Sequence, residues 1–117
     1  MRVGGRLLLV LGLTQAGLAT AAAPASDGSV VLRMCRGADK VKALSVMCHS
    51  YLNGFIDGAH YYAKDGKVPF CLEDGDKEKV PQALVEWITA HGEAQSQPAG
   101  MVLHKALSEK FPCKGKK

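Results

Sequence analysis

The feature that most constrains this chain is its cysteine count set against its size. Four cysteines, Cys35, Cys48, Cys71 and Cys113, fall in a chain of 117 residues. All four lie beyond an N-terminal stretch that reads as an export signal. Met1 to Arg6 is a short basic start, Leu7 to Leu13 is an apolar run, and Ala19, Ala21, Ala23 and Ala25 offer small-x-small cleavage sites. We expect a signal peptide over residues 1–25, cut near 21–25, with residues 26–113 as the domain and 114–117 as a basic tail. The uncleaved alternative is a membrane anchor. Thr14, Gln15 and several small residues make residues 7–25 a weak span, so no stable anchor is expected. The mature body is then about 92 to 96 residues long, a size at which a hydrophobic core alone is marginal. An even number of cysteines in a small exported chain reads as two disulfides. Zinc is the weaker reading, because no two cysteines are two to four residues apart. Haem attachment requires C-x-x-C-H, which is absent; Cys48-His49 is only an adjacency.

Charge removes other classes. The formal net charge of +4 falls to +2 without Arg2 and Arg6, and to −1 without the tail lysines Lys114, Lys116 and Lys117. A near-neutral body argues against nucleic acid as a partner. Neither a Gly-rich phosphate loop after a strand nor an internal repeat is visible.

Periodicity predicts helices throughout. Residues 29–36 form a short one ending at Gly37. Residues 39–64 form a long one, with Leu44, Met47, Cys48, Tyr51, Phe55, Ala59 and Tyr62 stepping by three and four along one face. Asp65-Gly66 stops it, and Lys67 to Gly75 is a connector. A third helix carries Val80, Leu84, Trp87, Ile88 and His91 on one stripe and ends at Gly92. It starts either at a cap on Asp76 or near Val80, where Pro81 would occupy the first turn. A polar loop from Gln95 to Pro98 precedes a last helix from about Ala99 to Lys110. The expected fold is therefore all-α, a small disulfide-stapled four-helix bundle with antiparallel neighbours. Cys35 ends the first helix and Cys48 lies early in the second. Cys71 precedes the third and Cys113 follows the fourth. These positions favour the pairs Cys35–Cys48 and Cys71–Cys113.

The four-cysteine frame also carries a resemblance. Cys48-His49-Ser50-Tyr51-Leu52-Asn53-Gly54-Phe55-Ile56-Asp57 resembles a C-x-G-Y-φ-x-G-x-x-D helix motif, with Tyr51, Gly54 and Asp57 at its marked positions. Phe70-Cys71 opens the connector. Trp87-Ile88 with His91 resembles a Y-L-x-x-H-P helix end, and Ala106-Leu107 with Phe111-Pro112-Cys113 resembles an A-L-x-x-x-F-P-C terminus. In this order the pieces resemble the Rap/Tai immunity family of type VI secretion systems, within an HdeA-like helical fold. The chain departs from that pattern at Ser50, where the family has Gly. Residues 72–79 lack a P-x-G-V-T run, so Asp76 stands at the Thr capping position, and Gly92 replaces Pro.

The resemblance implies a periplasmic protein that binds and occludes a peptidoglycan amidase effector, commonly as a homodimer, with no cofactor, no metal and no chemistry of its own. The acidic connector, with Glu73, Asp74 and Asp76, and the following loop, with Glu93 and Gln95, are the expected partner-binding residues. The alternatives are an acid-stress chaperone of the same architecture and a helical binding module without a toxin. An enzyme is disfavoured because no nucleophile–base pair is visible. Gly54 and Gly58 read first as close packing inside the chain and second as a homodimer contact. Asp57 reads as an internal hydrogen-bond acceptor rather than as part of a metal or acid–base site with His60. Trp87, Tyr51, Phe55 and Tyr62 read as core residues first.

Overall fold

The computed structural model describes residues 26–114. The expected signal peptide and the tail residues Lys116 and Lys117 lie outside them. Four helices make up the fold: α1 (Gly28–Arg36), α2 (Lys42–Tyr62), α3 (Val80–Ala90) and α4 (Ala99–Lys110). No β-strand occurs among the described residues, and their two isolated bridges pair Asp27 with Pro98 and Phe70 with Pro112.

α1 starts where Asp27 can cap it. The Asp27 carboxylate accepts from the backbone N–H of Ser29 (3.0 Å) and Val30 (3.2 Å) and from the Ser29 hydroxyl, which satisfies donors that a helix start leaves open. The entering strand of chain is held from the other side. Gly28 N–H donates to the Gln97 carbonyl (3.0 Å), and Ala99 N–H donates to that of Ser26 (2.8 Å). Backbone approach is so close here that a Cβ on Gly28 would run into the Ala94 carbonyl.

α2 begins at Lys42, not at residue 39. Lys40 and Val41 both donate to the Gly37 carbonyl (3.1 and 2.9 Å), so residues 37–40 form a turn that the helix cannot enter. Its core face is also rotated from the expected one. Cys48, Leu52 and Ile56 are buried and Tyr51, Phe55 and Ala59 pack beside them, whereas Met47 and Tyr62 are exposed. Asp65 (φ 60) and Gly66 (φ 65) turn the chain after α2 in the left-handed region, which Asp and Gly tolerate best.

The ambiguity at α3 resolves to the later start. Pro81 occupies the first turn, where its missing N–H costs nothing. A 3-10 turn, Lys77–Lys79, leads into it. The expected loop between α3 and α4 is instead a 3-10 turn, Gly92–Ser96, that buries Ala94 against α1. One contiguous core unites the helices, with Val31, Phe70, Leu84, Ile88, Val102, Leu103 and Leu107 fully enclosed. Removing any one of these large side chains would cost about 2–5 kcal/mol.

Cys35 is joined to Cys48 with Cα atoms 5.1 Å apart, and Cys71 to Cys113 with Cα atoms 4.8 Å apart. The first crosslink is buried between α1 and α2. The second ties the connector to the end of α4 beside the Phe70–Pro112 bridge and a 2.8 Å bond from Cys71 N–H to the Phe111 carbonyl. Among the described residues, no helix is long and apolar enough to cross a membrane.

Candidate partner-binding surface

The connector after Cys71 is a built turn. Gly75 (φ 85) takes a left-handed conformation that favours glycine. Asp76 N–H donates to the Glu73 carbonyl (3.0 Å), and the Asp76 carboxylate accepts from Glu73 N–H (2.8 Å). The side chain that sequence suggested as a cap for α3 thus faces backwards and closes the turn. Lys79 lies 3.7 Å from Asp76 on the other carboxylate oxygen.

Glu73 also has a partner outside the turn, in a solvent-exposed ion pair. Its carboxylate lies 2.9 Å from the Lys114 ammonium. The hydrogen bond to Glu73, and the charge behind it, raise the Lys114 pKa above its ordinary 10.5. Lys114 follows Cys113, so the ion pair and the Cys71–Cys113 crosslink brace the same turn from adjacent positions. Asp74 is left exposed at the tip. Lys114, at the start of the expected basic tail, is 87% exposed and pairs with the connector through Glu73.

Glu93 and Gln95 are presented differently. Both are exposed on the 3-10 turn, while Ala94 between them points inward and is buried. Ser96 Oγ donates to the Glu93 carbonyl at 3.1 Å. The two groups of expected partner-binding residues are not brought together. They lie at opposite ends of α3, whose 11 residues span about 16 Å at 1.5 Å per residue. A single narrow cleft would accept one of them.

The helix motif separates into parts. Tyr51 is half-buried against the core. Gly54 and Gly58 have open space where a side chain would be, which overturns the reading that they serve close packing within the chain. Asp57 is exposed and takes part in none of the side-chain hydrogen bonds among the described residues, so it is not an internal acceptor. His60 does not pair with it but lies edge-on to Phe70, ring centres 6.0 Å apart. Among the described residues no group of three His, Cys, Asp or Glu is placed to hold a metal ion, and every cysteine is in a disulfide.

A model of the Rap1a immunity proteins matches residues 27–113. The chain belongs to the Rap1a immunity protein family. No curated protein and no solved structure matches it. A Rap1a immunity protein works by binding a cognate effector protein, so its candidate site is a surface. Besides the acidic turn, this Rap1a chain offers a second surface, which includes Met47 and Tyr62, both expected in the core. Val46 (58% exposed), Met47 (52%), Tyr61 (82%) and Tyr62 (83%) stand on the outside of α2. With Gly54 and Gly58, Val46, Met47 and Tyr61 form a stripe opposite Cys48, Leu52 and Ile56. Gly54 and Gly58, four apart on one helix, are the sequence signal for this surface.

Proposed function

We propose that this chain is a periplasmic immunity protein that binds and occludes a peptidoglycan amidase effector delivered by type VI secretion. The observation that carries the reading is the acidic turn Glu73–Asp76, braced by Cys71–Cys113 and by Lys114. A plug that enters an enzyme's cleft gains affinity when its loop is ordered before contact, because little conformational freedom remains to be lost. Its exposed carboxylates add speed to encounter with a basic cleft. Nothing in this role requires chemistry from the inhibitor. Glu93 and Gln95, at the far end of α3, then contact the rim or nothing.

The chain pairs with a second copy through the outer face of α2. The support is the stripe of Val46, Met47, Gly54, Gly58 and Tyr61, whose glycines let another backbone approach. Light scattering of the oxidised protein tests this: a mass of two chains is expected, and a single chain at micromolar concentration would remove the homodimer.

Periplasmic co-expression with candidate amidases is the functional test. The wild-type chain should restore growth against its cognate toxin, and D74K, at an exposed carboxylate outside the Glu73–Lys114 pair, should weaken binding about tenfold or more while leaving Tm unchanged. Unchanged affinity would take the acidic turn out of the interface, and E93K/Q95K would then locate the plug at the other end of α3. Failure to protect against every amidase would overturn the amidase assignment.

A further inference from the structure

An open-sided cavity of about 630 Å³ lies between the second half of α2, the connector and the Cys71–Cys113 crosslink. Its size is that of small-molecule sites, which run from roughly 300 to 1,000 Å³. Its walls differ in character. Ile56, Val68, Phe70 and Leu72 supply an apolar side, with Ile56 and Phe70 buried. Lys67, Lys77 and Lys114 supply three ammonium groups, against one carboxylate, Asp57, with His60 beside it. Lys114 is engaged by Glu73. Lys67 and Lys77 enter no ion pair among the described residues.

We propose that this cavity binds a short peptide carrying an apolar side chain next to a free carboxylate. The apolar wall takes the side chain. Lys67 and Lys77 take the carboxylate in charge-assisted hydrogen bonds, the strongest class available at such a site. Asp57 explains why a peptide is favoured over a fatty acid. Its exposed carboxylate, which has no hydrogen-bond partner among the described residues, can accept a peptide N–H, a donor that an alkyl chain lacks. The open side lets the rest of the peptide run out into solvent.

The test is an NMR titration of the oxidised protein with acetyl-alanyl-phenylalanine, with its C-terminal amide and with decanoate. Backbone amide shifts should concentrate on Lys67 to Leu72 and Lys77. The free acid should bind about tenfold more tightly than the amide, and K67Q/K77Q should lose about tenfold for the acid with Tm unchanged. Shifts scattered over the surface, equal binding of acid and amide, or no loss in K67Q/K77Q would overturn the proposal. Decanoate binding more tightly than the peptide acid would also overturn it, and would reassign the cavity to lipid-like acids.

Discussion

The indole N–H of Trp87 donates to the carboxylate of Glu109 at 2.6 Å, joining α3 to α4 across 22 positions of sequence. Trp87 is also stacked on His91, ring centres 4.0 Å apart, while His91 Nδ1 lies 2.8 Å from the Trp87 carbonyl. The side chain is 5% exposed, so its N–H has little water to turn to if Glu109 is removed. Glu109→Ala should lower stability by about 1.5 kcal/mol, the low end for a hydrogen bond to a charged group, because Glu109 itself is exposed. Trp87 is the single tryptophan, so its emission reports the change directly. A denaturant curve followed at that emission checks both effects.

Three glycines should respond in opposite directions to the same substitution. Gly28→Ala places a methyl group into the Ala94 carbonyl and should cost about 1–3 kcal/mol through forced backbone shifts. Gly54→Ala and Gly58→Ala meet nothing and should each stabilise the helix by about 0.5–1 kcal/mol. In the proposed dimer the added methyl groups would also weaken self-association. Thermal melts at low concentration isolate the first effect, and light scattering of the same variants reads the second.

The two disulfides should reduce in order. Cys71 is exposed, whereas Cys48 is fully buried, so a mild reductant should release Cys71 and Cys113 to a thiol label before Cys35 and Cys48. Chain entropy assigns roughly 3 kcal/mol to the crosslink spanning 13 residues and roughly 4 to the one spanning 42. C71S/C113S should therefore destabilise at least as much as C35S/C48S. Partial-reduction mapping and paired unfolding curves check order and size.

Two groups set pH dependence at opposite extremes. The Ser29 hydroxyl, with the Val30 and Ser29 N–H groups, holds the Asp27 carboxyl below its ordinary 3.8 against the opposing effect of burial. A depressed carboxylate contributes stability above that ordinary value and loses it as pH falls through the lower folded value. Lys114 is raised above 10.5 by Glu73, so its contribution is complete below 10.5 and is lost as pH rises through the folded value. Asp27→Asn, which caps without charge, should flatten the acid side. Asp27→Ala should lower Tm at neutral pH. Lys114→Ala should loosen the acidic turn at neutral pH, seen as faster amide exchange over residues 73–76.

What the sequence made legible was local. Helix number, the stop at Asp65-Gly66 and the room for Pro81 in a first turn follow from nearest neighbours along the chain. The disulfide pairing in the structure is the one that the helix ends suggested, because short links leave few ways to bring those ends together. What it hid was relational. Met47 and Tyr62 carry the same apolar signal as Leu52 and Ile56, and periodicity does not say which side of a two-faced helix meets its own core. The bridge from Asp27 to Pro98 joins backbones with no side-chain signature, so the seat of Ala94 and the need for Gly28 were invisible. Glu73 and Glu93 looked alike as exposed acids in loops. The eleven residues of α3 between them hold them at opposite ends of one rigid helix.

The bond between Cys71 and Cys113 makes the segment from connector to the end of α4 a closed ring. A protease that cuts once inside that ring opens it without freeing a fragment, since both new ends stay attached to the same molecule through sulfur. A chain nicked on its exposed turn would therefore remain one covalent object until a second cut or a reduction.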